Sequence, residues 1–383
     1  MRPFEGVKIL NFTCQGMVQK GDKNGIVTQF LSKELQKYIL KEGAMKKCII
    51  CIAFLFFCLG LFVGVSHAAE KVIKLEFSSF LPSNNRLSLI FEQWCKDVEK
   101  RTDGRVKVTL HPGSTLTPMP QTYDSVIREI ADIGFGSMGI TQGRFPLSEV
   151  LDLPLGVKSG YLMTKLANAF YDKFKPKELD EVKFMGFITH GPGIIHTKKP
   201  VRKLEDLAGL KLRCSGGTVV NVLKALGAVP VVMPMGDTYD ALRKGVVDGV
   251  AIIPDALESW KLGEVVEYTT ENYRTAYETS GFFAMNKAKW NSLPPDVQKI
   301  MDKMNVEYTD RLSKEFDAMD QDAIKIHKAK KHTFISLSKE EEERWYQRVV
   351  PLCDAYLKEK SAKGLPAAEA LKFCQDWVKE NQK

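Results

Sequence analysis

The sequence has few of the residues that build metal and nucleophile sites. It contains 6 histidines in 383 residues, and no C-x-x-C pair follows Ala68, which excludes a zinc ribbon or a thioredoxin-like redox site. No histidine lies in the H-E-x-x-H spacing of a metalloprotease, so we expect no metal at His190 and His196. A nucleophile arranged with its base is missing as well, which argues against a secreted hydrolase.

A glycine-rich loop also lacks the context of a cofactor site. Gly134–Gly139 spells G-x-G-x-x-G, but Gly143 and Pro146 interrupt the helix that should begin there to face a pyrophosphate. Phe135 occupies the position where a nucleophile elbow around Ser137 requires glycine. We therefore predict no cofactor, and we interpret the loop as flexible backbone beside a ligand.

A long apolar run is present only near residues 48 to 65. Lys46 and Lys47 precede it, and Ser66-His67-Ala68 places small residues at positions −3 and −1 of a cleavage site. This pattern predicts a signal peptide at 45–68 that is cleaved after about Ala68, and it fits an uncleaved membrane anchor less well. Because a signal peptide belongs at an N-terminus, we interpret residues 1–44 as a mis-called upstream extension and Met45 as the true start.

Charge and cysteine usage change once this segment is set aside. Residues 69 to 383 carry 46 basic and 43 acidic side chains, a net charge of +3, which gives no electrostatic basis for binding nucleic acid. Four cysteines remain in an exported, disulfide-permissive setting. Cys95 lies on an apolar helical stripe and is interpreted as a core thiol. Cys353 and Cys374 fall on successive helices, as either a disulfide or two buried thiols.

Short apolar strands alternate with amphipathic helices from Val72 to Ile253. The first strand (VIKLEFSSF) and the helix after it are followed by RVKVTL, and the same alternation continues along the chain. Such alternation predicts an α/β fold with mostly parallel sheets covered by helices. Beyond Pro294 nearly all of the sequence is predicted to be helical.

One segment is repeated within the chain. Residues 121 to 132 match residues 237 to 248 at a constant offset of 116, each as a capped helix, an aspartate and an apolar strand. The match is either shared helix-cap chemistry or the sign of two similar lobes. In the second case, Gly136 and Ser137 lie across a cleft from Ile252 and Ile253.

Arg213 is the strongest candidate for a binding residue. In the short strand before Ser215-Gly216-Gly217, Leu212 and Cys214 face one side and Arg213 the other, at the carboxyl end where α/β sheets bind ligands. A helix begins immediately afterwards, and its first amides carry partial positive charge. A guanidinium at this position suits a carboxylate, although the alternative is an ordinary ion-pair arginine.

These motifs together resemble one family. The order of GLKLR, GAVPVVMP, YDALRKGVVDG and FFAMNKAKWNSLPPDVQ is similar to that of the TRAP transporter solute-receptor (DctP-type) family, over about Lys71 to Lys379. The resemblance implies a periplasmic receptor with two lobes, 69–190 with 279–318 and 191–278 with 319–383, and C-terminal helices packing across them. It implies a carboxylate ligand paired with Arg213 and a TRAP membrane permease of a small and a large subunit as partners. A receptor for an ATP-driven importer or a sensor is the alternative.

The resemblance also suggests the other ligand contacts. We expect Ser215 and Gly216 beside Arg213, and Ser137 with the Phe80 to Asn85 loop closing from the first lobe. Gly193 stands where sialic-acid-type members carry a second arginine, and Ile252 or Ile253 where they carry an asparagine. With the aromatic residues Trp260, Phe282 and Phe283 nearby, these departures favour a monocarboxylate with an apolar or aromatic body. Asp255 is interpreted either as a contact for a ligand amine or as a helix cap.

Overall fold

The computed structural model describes residues 72–141 and 143–382, so the predicted extension and signal peptide lie outside the described residues. Five strands form a first sheet in the order β2-β1-β3-β10-β4. In chain order these strands are β1 (Ile73–Ser79), β2 (Val106–His111), β3 (Ile133–Ser137), β4 (Val182–Thr189) and β10 (Ser280–Asn286). β1 is parallel to β2 and β3, whereas β10 runs antiparallel between β3 and β4.

Six strands form a second sheet in the order β11-β9-β5-β8-β6-β7. They are β5 (Ile194–Thr197), β6 (Lys211–Cys214), β7 (Val229–Val232), β8 (Gly249–Ile252), β9 (Tyr268–Glu271) and β11 (Thr333–Ser336). β6 is parallel to both of its neighbours, and β5 is antiparallel to β8 and β9. Both sheets are therefore mixed, with an antiparallel strand at the point where the chain crosses between them.

Ten α-helices cover the two sheets in the described part of the chain. They are α1 (Arg86–Arg101), α2 (Thr122–Ile127), α3 (Gly160–Phe174), α4 (Thr218–Ala225), α5 (Thr238–Arg243), α6 (Ala256–Ser259), α7 (Lys287–Asn291), α8 (Pro295–Ala329), α9 (Lys339–Ala362) and α10 (Ala367–Asn381). Short 3-10 segments join them, including Ser148–Asp152. No helix of the described residues combines the length and the apolarity that crossing a membrane requires.

The first sheet is covered on both faces. Alternate residues of β10 point to opposite faces, so Phe282 and Phe283 pack in different core clusters. Phe283 packs against Phe77 and Trp94, with ring centroids 5.4 Å apart in each pair. Phe282 packs on the other face against Tyr123, at 5.3 Å. These two aromatic clusters pack α1 on one face of the sheet and α2 on the other.

Three parts of the chain connect the two sheets. Residues 190–193 link β4 to β5, and residues 272–279 link β9 to β10. These two crossing segments run side by side, since Gly193 pairs with Tyr277 in an antiparallel bridge. The third connection is α8, which packs on α1 and α3 beside the first sheet and on α6 beside the second.

The long helix α9 also spans both lobes, whereas α10 belongs to the first. On α9, Trp345 and Val349 belong to the core of the second sheet, whereas Tyr356 belongs to a core cluster of the first. Pro351 lies between them, and a proline inside a helix favours a bend because it has no amide hydrogen to donate. α10 packs on α3. The two-lobed α/β architecture agrees with the sequence expectation, and of the C-terminal helices α9 crosses the lobes as expected. The exact division into lobes stays a prediction.

Both copies of the internal repeat adopt the same structure. Each consists of a 3-10 turn, a six-residue helix (α2 or α5) and a strand (β3 or β8) that is parallel to one neighbour and antiparallel to the other. Sequence analysis missed β11, which lies within the region predicted to be helical. Of the disulfide alternatives, the structure shows free thiols at Cys353 and Cys374, and the free Cys95 is buried as predicted.

Candidate functional site

The site centres on Arg213, in the interior of the second sheet. β6 lies between β7 and β8, and Leu212 and Cys214 on either side of Arg213 are buried in the second core. Both Nε and Nη2 of Arg213 donate to the main-chain oxygen of Met233, at 3.2 and 2.9 Å. One edge of the guanidinium is therefore fixed by the backbone that follows β7.

Arg213 has no acidic partner among the described residues. Its exposed fraction is 3%, and no ion pair in the part of the chain that the structure describes includes it. Burial lowers the pKa of Arg213, and the only nearby ionisable groups that affect this pKa are Tyr277 and Cys214. A buried cation without a counter-charge is costly to a protein. The site therefore suits an anion supplied from outside the chain.

The turn after β6 brings the two lobes into contact. Gly216 and Gly217 have φ angles of +107° and +69°, which glycine adopts without strain. A Cβ atom at Gly217 would lie 2.5 Å from the main-chain oxygen of Gly139, in the loop that follows β3. Only glycine allows this approach, so the cleft is closed at this point. The eight-residue helix α4 begins directly afterwards at Thr218.

Tyr277 is a component of the site that sequence analysis did not identify. Its ring lies over Gly193, where a Cβ atom would come within 2.2 Å of the ring. Its hydroxyl donates to the main-chain oxygen of Ala251 at 3.1 Å, and burial raises the pKa of Tyr277 to about 12. Ser215 hydrogen-bonds to the same phenol. The only signal in the sequence was Gly193 itself, because a missing side chain leaves space for a ring from another strand.

Two other predicted contacts lie beside the same core cluster of the first lobe. Ile253, which follows β8, packs against the core cluster of the first lobe, and so does Phe80. Phe80 stacks on Phe135 with a centroid distance of 5.4 Å. Ser137, the last residue of β3, is buried and is paired with Gly281. Ile253 and Phe80 thus bring apolar side chains from the two lobes to the same core cluster.

Other predicted contacts have a different role in the structure. Asn85 accepts the amide of Leu87 at 2.9 Å as the N-cap of α1. Phe282 is fully buried in the first core and has no surface for a ligand. Trp260 packs against a core cluster of the second lobe. Asn85 and Phe282 are thus engaged within the fold, whereas Trp260 is only partly buried and its contact with a ligand stays a prediction.

Asp255 and the two histidines are also occupied within the protein. The carboxylate of Asp255 accepts the hydroxyl of Ser259 at 2.7 Å, so its side chain does not cap a backbone amide of α6. His196 contacts the hydroxyl of Thr269 and the main-chain oxygen of Ile252. His190 lies against the main chain of Gly191. Among residues 72–141 and 143–382, no group of three or more histidine, cysteine or acidic side chains could hold a metal ion.

Comparison with known proteins defines the class to which this fold and site belong. Residues 77–360 match the DctP family model, described as bacterial extracellular solute-binding protein, family 7. The chain belongs to this family of TRAP solute-binding proteins.

Individual relatives match this chain over nearly the whole of their own length. The C4-dicarboxylate-binding periplasmic protein DctP of Rhodobacter capsulatus is 26% identical over 82% of this chain and 94% of its own. A TRAP periplasmic solute binding protein from Desulfovibrio salexigens is 34% identical, with a TM-score of 0.74 over 81% of this chain and 97% of its own. A TRAP solute binding protein from Rhodoferax ferrireducens, in complex with copurified benzoate, is 27% identical, with a TM-score of 0.75 over 81% and 98% of the two chains.

Proposed function

We propose that this protein captures a small monocarboxylate with an apolar or aromatic body and delivers it to a TRAP membrane permease. The observation that carries the proposal is the buried guanidinium of Arg213, which has no acidic partner in the described residues. A ligand carboxylate supplies the missing charge and the missing hydrogen-bond acceptors. Ser215 and Gly216 follow it in the turn before α4, and the proposal assigns Ser137 as the contact from the first lobe.

The surroundings of Arg213 favour one carboxylate over two. The relatives bind different acids at similar identity, benzoate in one case and C4-dicarboxylates in another, so identity alone does not choose between them. In this chain Tyr277 covers Gly193, which leaves no space for a second cation there. Ile253 and Phe80 add apolar surface where the lobes meet. A second ionised carboxylate would lose its hydration among these groups without gaining a partner.

Binding acts through closure of the cleft. The crossing segments 190–193 and 272–279 are the proposed hinges, and the loops around Gly139 and Gly217 close against each other. Closure removes water from the contact between Arg213 and the carboxylate, and this lowers the local dielectric and strengthens the attraction. The export signal at 45–68 would place this capture step in the periplasm.

Replacing Arg213 with alanine tests the proposal. Isothermal titration of the purified protein with benzoate should show a loss of at least about 2 to 3 kcal/mol of binding free energy, because a charge-assisted bidentate contact contributes that much. The exposed Arg128→Ala variant serves as the matched control and should bind as the wild type does.

The ligand ranking gives a second, independent check. We expect benzoate and hydroxybenzoates to raise the melting temperature of the wild type, and succinate and sialic acid to have little effect. An Arg213→Ala variant that binds benzoate at wild-type affinity, or a wild type that prefers succinate, would contradict the assignment.

A further inference from the structure

Two carboxylates that take no part in the Arg213 site are buried beside the crossing segments. Asp152 ends the 3-10 segment Ser148–Asp152 and is 4% exposed; Glu278 lies between β9 and β10 and is 1% exposed. Asp152 accepts the amide of Ser280 at 3.3 Å. Neither carboxylate oxygen of Glu278 has a hydrogen-bond partner among the described residues. A buried charge in this condition needs to be neutralised.

The neighbouring charged groups do not neutralise the pair. On the same 3-10 segment, Glu149 is a further acid, and it binds the ammonium group of Lys360 from α9. Lys360 is also held by Glu359, at 3.0 Å. Of the adjoining groups, the phenol of Tyr277 donates to Ala251, and His190 on the β4 side contacts Gly191. The residues of α4 that line this region, Thr218 and Asn221, carry no charge.

Protonation is the neutralisation that the structure favours. Burial raises the pKa of Asp152 to about 7, with a further contribution from the charge of Glu149. Burial, followed by the charge of Asp152, raises the pKa of Glu278 well above its ordinary value. The hydroxyls of Ser280 and Thr189, which face each other across β10 and β4, are also buried without partners in the described chain. Two cations, Lys360 and Lys363, line the same cavity as Asp152, but Glu359 pairs with both and Glu149 with Lys360.

Both carboxylates lie close to a contact between the lobes, since Gly139 packs against Asp152 and against Thr279, the residue after Glu278. A methyl group at Gly139 would lie 3.2 Å from Oδ2 of Asp152, and Gly139 is the residue against which Gly217 of the second lobe packs. Asp152 also lines a cavity of about 430 Å³ whose wall is shared by Gly139, Gly217 and Lys360. Separating Gly217 from Gly139 opens this region to water, and hydrated carboxyl groups titrate near pH 4.

We propose that closure of the cleft takes up a proton at the Asp152–Glu278 pair, so that affinity for the organic acid falls as pH rises. This inference rests on the proposed function only in that the organic acid drives closure. In the open form both carboxylates are hydrated and ionised at neutral pH, whereas the closed form holds at least one of them protonated. Each proton bound on closure is therefore taken up when the ligand binds, so the dissociation constant depends on pH.

The direction and size of the effect follow from this linkage. Between about pH 5 and 7 the dissociation constant should rise by up to about tenfold per pH unit for each proton taken up. A benzoate-type ligand stays ionised across this range, and Arg213 stays charged, so neither produces the trend. Above the range in which the closed form releases its proton, the dependence should level off.

Titration calorimetry with benzoate, in buffers of different ionisation enthalpy at pH 5.5, 6.5 and 7.5, measures the protons taken up. We expect uptake in the wild type and in the control Glu99→Gln, whose carboxylate is exposed on α1. We expect less uptake in Glu278→Gln and in Asp152→Asn, and none in the double variant. Equal uptake in the wild type and the double variant would overturn the proposal.

Small-angle X-ray scattering of the ligand-free protein gives a test that needs no ligand. The wild type should be more compact at pH 5.5 than at pH 8, and the double variant should be equally compact at both values. If benzoate does not bind at any pH, the proposed ligand class fails, while the scattering result still supports or overturns proton uptake. A compaction that follows sodium concentration at fixed pH, and not pH itself, would also overturn it, because a metal cation would then be the neutralising partner.

Discussion

Two buried cations differ in what balances their charge. One lies beside the first lobe and the other lies in the second sheet. Lys360 on α9 and Arg213 on β6 are each 3% exposed. Lys360 has two carboxylates, Glu149 and Glu359, within ion-pair distance. Among the described residues, the hydrogen-bond partner of Arg213 is the main-chain oxygen of Met233.

The pKa values of the two cations show the same contrast. Burial alone would lower the pKa of Lys360, but its hydrogen bonds to Glu149 and Glu359 leave that pKa raised. Burial lowers the pKa of Arg213 with no carboxylate to oppose it. The first cation is therefore part of the folded framework, which joins α9 to the first lobe. The second has no carboxylate partner among residues 72–141 and 143–382, as the proposed role in binding an organic acid requires.

Two histidines show a third arrangement, in which a basic side chain stays neutral inside the protein. They give the largest expected effect on the free energy of unfolding. The carbonyl of Ile252 can only accept, so Nε2 of His196 donates to it and Nδ1 accepts the hydroxyl of Thr269. The hydroxyl oxygen of Thr269 in turn accepts a hydrogen bond from Nε2 of His332. Burial lowers the pKa of His196 to about 3 and that of His332 to about 4.

These histidines should make the protein sensitive to acid. Because their folded-state pKa values lie below the unfolded value, their stabilising contribution is complete above about pH 6.5 and is lost as pH falls. Urea unfolding at pH 7 and pH 4 should differ by several kcal/mol, on the order of 1.4 kcal/mol per unit of pKa shift. His196→Gln should reduce this difference, and an unchanged difference in the variant would contradict the role given to His196.

Lys360→Ala should have the next largest effect, on stability and not on ligand affinity. Removing the ammonium group leaves Glu149 partly buried beside Asp152 and Tyr356, at a cost of about 2 kcal/mol. The exposed Lys358→Ala on the same helix is the matched control and should cost less than about 0.5 kcal/mol. If both variants unfold at the same urea concentration, Lys360 is not the structural cation described above.

Arg213→Met should have the smallest effect on the ligand-free protein. Since the guanidinium has no counter-charge, replacing it with an apolar side chain of similar length should leave the free energy of unfolding unchanged or raise it by up to about 1 kcal/mol. Urea unfolding after extensive dialysis measures this. A destabilisation as large as that of Lys360→Ala would show that Arg213 supports the fold and would remove the contrast.

Much of the architecture follows from local sequence. The period of two in VIKLEFSSF and the apolar stripe of the next helix specify β1 and α1 whatever surrounds them. The repeated segment left two interpretations open, and the pairing of β3 and β8 agrees with the one in which they are equivalent strands. β11 was missed because four residues between two long helices carry too little periodicity, and the strand forms only by pairing with β9.

The sequence by itself determined that Arg213 lies at the carboxyl end of a short strand before a glycine turn, because alternation and turn chemistry are local properties. Only the tertiary structure decided which groups surround it. The residue type and position of Phe282 and Asn85 suggested that they contact a ligand. In the structure Phe282 packs in the first core and Asn85 caps α1. Tyr277 and Glu278 come from a crossing segment more than 60 residues away in sequence, and nothing local indicates that their neighbourhood lacks a counter-charge. Long-range burial sets the electrostatics of a site, and burial is a property of the folded chain.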